Sequence, residues 1–173
     1  MTELDVLIKN ANIVDGTGNK AYKGAIGVQG DKVVALGKVE DNAKRTLNAK
    51  GLTATPGFID SHSHGDWTLL WFPKAESYVM QGVTTFVGGQ CGGSPAPIGE
   101  HIRLPRGLLD HLPDLDPYKF YPRQPFFPLE KANEWMKKIY GWTLDWEDMA
   151  GYFRKVEEVG VSMNYAPLVG HGT

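Results

Sequence analysis

Residues 56–67 read PGFIDSHSHGDW, an apolar run that ends in two histidines one residue apart, with an aspartate two residues further on. In an extended strand, residues two apart point to the same side. His62 and His64 at the end of such a strand can therefore present two imidazoles to one ion. The spacing alone is a short motif with a high false-positive rate, and the competing reading is two histidines that fell together on a loop. Asp66 has two roles open to it. It can accept a hydrogen bond from the free ring nitrogen of a ligating histidine, or it can cap a following helix.

A second run, GVTTFVGGQC (82–91), has the same form: apolar and β-branched residues that end in small and polar ones. Runs of this kind suit strands buried on both faces of a parallel sheet. Parallel strands put their C-terminal ends on one face, where active sites sit, so Cys91 is expected beside the two histidines. A thiolate among imidazoles is a good ligand set for zinc. The bland alternative for Cys91 is an inert core thiol, but GGQCGGS (88–94) is too rich in glycine and polar residues to make a good core. Between the two runs, AESYVMQG (75–82) predicts a short helix stopped by Gly82.

A third run, GVSMNYAPLVGHGT (160–173), ends in Gly170-His171-Gly172. His171 is expected to line the site or support a ligand rather than to ligate; the alternative is a histidine that only hydrogen-bonds locally. Before this run, residues 94–128 hold eight prolines and predict an irregular surface excursion, with His101 and His111 as surface residues. LEKANEWMKKIY (129–140) predicts a helix. So does DWEDMAGYFRKVEEVG (145–160), where Trp146, Met149, Phe153 and Val156 share one face and Gly160 ends the pattern. Glu157 and Glu158 fall on its solvated side.

Upstream, residues 1–55 read as short strands with turn punctuation. Leu4, Val6 and Ile8 alternate with Asp5, Leu7 and Lys9, imperfectly because Leu7 is also apolar. GAIGVQGDKVVALG (24–37) predicts a hairpin, Ile26–Val28 against Val33–Leu36, joined across Gly30-Asp31. RTLNAKGLTATPG (45–57) predicts one or two further short strands. The expected domains are thus a small β unit over 1–55 and an α/β unit over 56–173, interrupted by the excursion 94–128.

Composition excludes several classes. With 18 basic and 20 acidic residues, net charge −2, there is no electrostatic footprint for nucleic acid or an anionic membrane. No apolar run approaches the ~18 residues of a membrane span, and the N-terminus lacks the basic and apolar segments of a signal peptide. One cysteine leaves no intrachain disulfide. A cytoplasmic location is expected.

PGFIDSHSHGD after a small β region resembles the first barrel strand of the amidohydrolase superfamily. MQGVTTFVGGQCGGSPAP (80–97) and NYAPLVGHGT (164–173) resemble, more specifically, its D-aminoacylase branch, the N-acyl-D-amino-acid deacylases. Gln90 stands where that branch more often has Asn, and residues 98–127 match poorly. The resemblance implies a metal-dependent (β/α)8 barrel, of which this chain carries the first strands, preceded by part of a small β-sandwich. It implies His62 and His64 as metal ligands and Cys91 as a zinc ligand, shared between two metal positions if two ions bind. Asp66, Gln90, Ser94 and His171 are expected to support the ligands or line the substrate.

In the family, two further zinc-binding histidines and the catalytic aspartate come from later strands, and none of these positions exists here. The stretch from Gly57 to Thr173 is well short of the ~250 residues of a whole barrel. The expected function is hydrolysis of the amide bond of N-acyl-D-amino acids or D-amino-acid-containing dipeptides with one or two zinc ions. An aspartate from outside the chain would relay the proton of water to the leaving nitrogen. The expected partner is the C-terminal remainder of the same protein, as a second chain or a continuation; whether the protein forms a homo-oligomer stays open. Two rivals remain: the same scaffold acting on cyclic amides, lactones or other dipeptides, and a non-catalytic metal-binding or assembly subunit.

Overall fold

KGAIGVQ and KVVALG flank a Gly-Asp pair, and the computed structural model, which describes residues 3–103 and 126–173, folds them as a hairpin. Strands β2 (Tyr22–Gln29) and β3 (Lys32–Gly37) pair antiparallel. Gly30 takes φ +59° in the two-residue turn, a conformation glycine adopts without steric cost. β1 (Leu4–Ile13) pairs antiparallel with β2 and parallel with β4 (Ala43–Asn48) and β5 (Thr53–Ala54). The sheet order is β3-β2-β1-β4, with β5 also on β1. These strands make up one of two compact units, Met1–Pro56 and Gly57–Thr173.

The expected alternation of β1 is corrected. Leu4, Leu7, Ala11 and Ile13 are its buried residues, whereas Val6 and Ile8 are half-buried. The break in the period of two falls between Leu4 and Leu7; further on, the strand has a register shift between Ile8 and Ala11, with Asn10 at φ +63°. The buried cluster of this unit is small: Leu4, Leu7 and Ala25, with Val39 and Ala43 against it.

In the second unit β6 (Phe58–Asp60), β7 (Val83–Gly88) and β10 (Asn164–Pro167) form a parallel sheet in the order β10-β7-β6. Asp60, Gly88 and Pro167 therefore end on the same side, and the three polar segments leave from there. Two four-residue helices, α1 (Gly65–Thr68) and α2 (Glu76–Val79), connect β6 to β7. Helix α3 covers Leu129–Tyr140, and Gly141 follows it in the left-handed region. Helix α4 covers Met149–Val159, with Asp148 capping it by accepting from Gly151 N at 2.7 Å.

The face expected of this last helix is also corrected. Trp146 lies before the helix, and Phe153 is only half-buried. Tyr152 and Val156 face the core. Tyr152 goes inward because its phenol finds a buried acceptor, the backbone carbonyl of Asp66. Glu158 pairs with Lys155 Nζ at 3.2 Å. The core joins Leu69, Leu70, Phe86, Met136, Trp146 and Tyr152. Phe86 stacks on Tyr165 across the strands.

The proline-rich excursion is not irregular at its ends. β8 (His101–Arg103) pairs antiparallel with β9 (Phe126–Pro128), and Ser94, Pro95, Ala96, Ile102 and Phe127 are buried. Trp146 Nε1 donates to the Pro95 carbonyl at 2.8 Å, which draws the first turn of the excursion into the core. His101 is exposed; His111 lies outside the described residues. Among the described residues no helix is long and apolar enough to cross a membrane.

Candidate metal centre

The two histidines lie beyond the last residue of β6, in the bend and short connection that lead into α1, where His64 has φ −112° and ψ 22°. Ser63 N donates to the Val87 carbonyl at 3.0 Å, which keeps the chain alongside β7. Ser63 is buried, with its hydroxyl 2.5 Å from the Tyr78 hydroxyl. Its neighbours His62 and His64 are exposed. Ser63 is thus held inward by these two hydrogen bonds, and both imidazoles stay on the open side.

Cys91 reaches the same place by a different backbone. After β7, Gly89 (φ +73°) leads into a single 3₁₀ turn, Gln90–Gly92, in which Cys91 (φ +53°) is left-handed as well. The second is costly for a residue with a Cβ, on the order of 1–2 kcal/mol, and needs support from around it. An added Cβ on Gly89 would stand 1.9 Å from the Leu168 carbonyl oxygen, so only glycine fits between the turn and the segment leaving β10.

The ligand atoms of His62, His64 and Cys91 all lie within 4.8 Å of one another. Cys91 Sγ is 3.4 Å from His62 Nε2, and the two imidazoles meet edge to face with ring centroids 5.7 Å apart. Zinc bonds of about 2.0 Å to nitrogen and 2.3 Å to sulfur, opened to a tetrahedral angle, span about 3.5 Å. The Cys91–His62 separation fits that edge, and a nitrogen–thiol donor set suits zinc or another borderline-soft ion.

Asp66 is 1 % exposed and bonds neither imidazole. Its Oδ2 accepts from Gly89 N at 2.8 Å and its Oδ1 from Trp67 N at 3.1 Å. Burial pushes its carboxyl above the usual carboxylate range, against the opposing pull of those amides. Burial also raises the phenols of Tyr152 and Tyr165, and the nearby Asp66 carboxylate adds to the effect.

The other expected site residues divide. Gln90 is half-buried and donates through Nε2 to the Ser61 carbonyl at 3.1 Å, which ties the cysteine turn to the histidine segment. Ser94 is buried. Its hydroxyl donates to the Ala96 carbonyl at 2.6 Å, accepts from Gly170 N at 3.0 Å and lies 3.0 Å from Thr173 Oγ1. His171 is exposed and outside the three-residue cluster; Gly172 N next to it donates to the Gly92 carbonyl at 2.7 Å. Sequence reasoning missed Tyr152, Ser63 and Tyr78. The i,i+4 pair Tyr152–Val156 was a signal for the first; the other two left none.

A family model described as "Amidohydrolase family" matches residues 45–152. The N-acyl-D-aspartate deacylase of Alcaligenes xylosoxydans xylosoxydans is 34% identical over 173 residues, 99% of this chain and 29% of the relative. Among solved structures, the N-acyl-D-glutamate deacylase of Bordetella bronchiseptica, complexed with zinc and a phosphonate mimic of the tetrahedral intermediate, superposes with a TM-score of 0.69. It shares 27% identity, over 98% of this chain and 30% of that one. A D-aminoacylase studied for the role of its binuclear metal centre gives a TM-score of 0.70 and 27% identity, over 97% of this chain and 30% of that one. The chain thus spans less than a third of the length of these relatives.

Proposed function

Because this chain belongs to the amidohydrolase family, we propose that it is the N-terminal part of a zinc-dependent deacylase that hydrolyses N-acyl-D-amino acids or D-amino-acid-containing dipeptides. The observation that carries the reading is the gathering of His62, His64 and Cys91, within 4.8 Å of one another, where parallel strands β6 and β7 end. The similarity to deacylases of N-acyl-D-aspartate and N-acyl-D-glutamate supports the substrate class. In this reading β6, β7 and β10 are strands of a (β/α)8 barrel, and the five-stranded sheet is part of a small sandwich. A C-terminal segment outside this chain completes both and brings the general base.

His62, His64 and Cys91 would hold zinc, as one or two ions. When bound, zinc supplies Lewis acidity, which polarises an amide carbonyl and lets water act as a nucleophile near neutral pH. The chain's own residues set the geometry. Ser63 fixes the backbone between the imidazoles, Gln90 ties the two ligand segments together, and the left-handed turn aims the thiol at His62. All three ligands are exposed, which leaves room on the open side for substrate.

The test is zinc content and deacylation by the complete protein. The reading expects bound zinc, hydrolysis of N-acyl-D-amino acids well above their L forms, and loss of zinc in Cys91→Ser. Equal rates on both enantiomers would overturn the substrate class. Unchanged zinc in Cys91→Ser would overturn the ligand set.

A further inference from the structure

We propose that Asp66 is a positioning residue for Cys91, acting through the backbone of Gly89 to aim the thiolate at the metal. The inference rests on Cys91 being a ligand and adds what holds it in place. Asp66 is almost wholly buried, and among the described residues no lysine or arginine pairs with it. A carboxylate in that position is costly unless its oxygens are used. Both are: one receives Gly89 N–H at the start of the cysteine turn, the other Trp67 N–H. An ionised carboxylate only accepts, so it can serve two amide donors at once, whereas an asparagine would turn an NH2 group toward one of them.

The packing leaves the turn no other place to go. A Cβ on Gly88 would stand 2.9 Å from Asp66 Cβ, so the aspartate lies flush against the end of β7. On the far side Leu168 N donates to the Gly88 carbonyl at 3.0 Å and Gly172 N to the Gly92 carbonyl at 2.7 Å. The left-handed Cys91 is thus clamped from both flanks, with the Asp66 side chain on Gly89 before it and the Gln90 side chain on the Ser61 carbonyl. Tyr152 fixes Asp66 in turn by donating to its carbonyl.

The experiment loads the complete protein with cobalt(II) and reads metal affinity together with the near-ultraviolet thiolate-to-cobalt charge-transfer absorption. Asp66→Asn, nearly isosteric, and Asp66→Ala are compared with wild type and with Cys91→Ser. The expected result is a charge-transfer band in wild type, absent in Cys91→Ser, and weakened in both Asp66 variants with cobalt affinity about 10- to 100-fold lower. A wild-type-like band and affinity in both Asp66 variants would overturn the proposal and leave Cys91 as a ligand. A band that survives in Cys91→Ser, or is missing from wild type, would sink the ligand reading and this proposal with it. If neither Asp66 variant keeps wild-type near-ultraviolet circular dichroism, Asp66 is a requirement of the fold rather than of the thiolate's aim, and the proposal fails.

Discussion

Tyr152 donates its phenolic hydrogen to the backbone carbonyl of Asp66 at 2.5 Å. The bond ties the most buried side chain of α4 to α1, which directly follows the two histidines. Tyr152 also meets Trp146 and Tyr165 edge to face, so its ring is fixed before its hydroxyl is placed. Tyr152→Phe keeps the ring and strands a buried carbonyl. It should cost about 1–3 kcal/mol of stability, read as a lowered denaturation midpoint with an unchanged slope. A midpoint equal to wild type would mean that water replaces the phenol.

Gly89 and Gly93 flank the same cysteine and should respond oppositely to one methyl group. At Gly89 an added Cβ meets the Leu168 carbonyl at 1.9 Å in a left-handed backbone, whereas at Gly93 nothing lies within 4 Å. Gly89→Ala should cost about 3 kcal/mol or more, through strain and forced displacement of β10. Gly93→Ala should stay within about 0.5 kcal/mol. Thermal melts of the two variants check both values, and similar losses would show that the turn yields.

Among the histidines, ligation should follow the cluster and not the strand ends. His64→Ala removes one of the three gathered donors and should lower bound zinc by metal analysis of purified protein. His171→Ala removes an exposed side chain outside that cluster and should leave zinc content at the wild-type level. Equal losses would bring His171 into the ligand set.

Two periodicities explain what was legible in the sequence. The H-x-H spacing and the apolar run before Cys91 are local patterns, and a parallel ladder converts them directly into neighbours. Helix α3 and the β2–β3 hairpin were readable for the same reason, since capping and turn residues act within a few positions. Asp66 was readable as polar and near the site, but not as the holder of Gly89, because that bond joins residues 23 apart through a backbone amide that every sequence has. The partners of Ser94 were illegible for the same reason: Gly170 N and Thr173 Oγ1 come beside it only once β10 lies along β7. Phe153 was placed inward because apolar spacing cannot see a buried acceptor waiting for a phenol.

The acid response of the N-terminal sheet should depend on Asp5. The Gly30 N–H, and then the Lys44 ammonium, hold its carboxyl below the ordinary value of 3.8. A group whose folded pKa is depressed contributes stability above its unfolded pKa and loses it as pH falls through the folded one. Asp5→Asn should therefore melt below wild type at neutral pH, and the gap should narrow once pH drops under 3.8. Melting curves across that range decide it; a gap that stays constant would assign the difference to packing instead.

Ser94 gives the last expectation, because one hydroxyl joins three segments. It donates to Ala96 O, accepts from Gly170 N and meets Thr173 Oγ1, so it fastens the start of the excursion to the turn after β10. Ser94→Ala leaves at least one buried amide without an acceptor and should cost about 1–3 kcal/mol. Thr173→Ala removes the acceptor of the Ser94 N–H at 2.8 Å, but from an exposed residue whose place water can take, and should cost less, within about 1 kcal/mol. The same two variants also bear on the metal. Gly172 N–H holds the Gly92 carbonyl beside Cys91, so loosening Gly170 should weaken zinc retention in Ser94→Ala more than in Thr173→Ala. Denaturation midpoints and zinc retention during dialysis against a weak chelator separate the two effects. Lost stability with zinc fully retained would confine Ser94 to the fold and leave the clamp on Cys91 to Asp66.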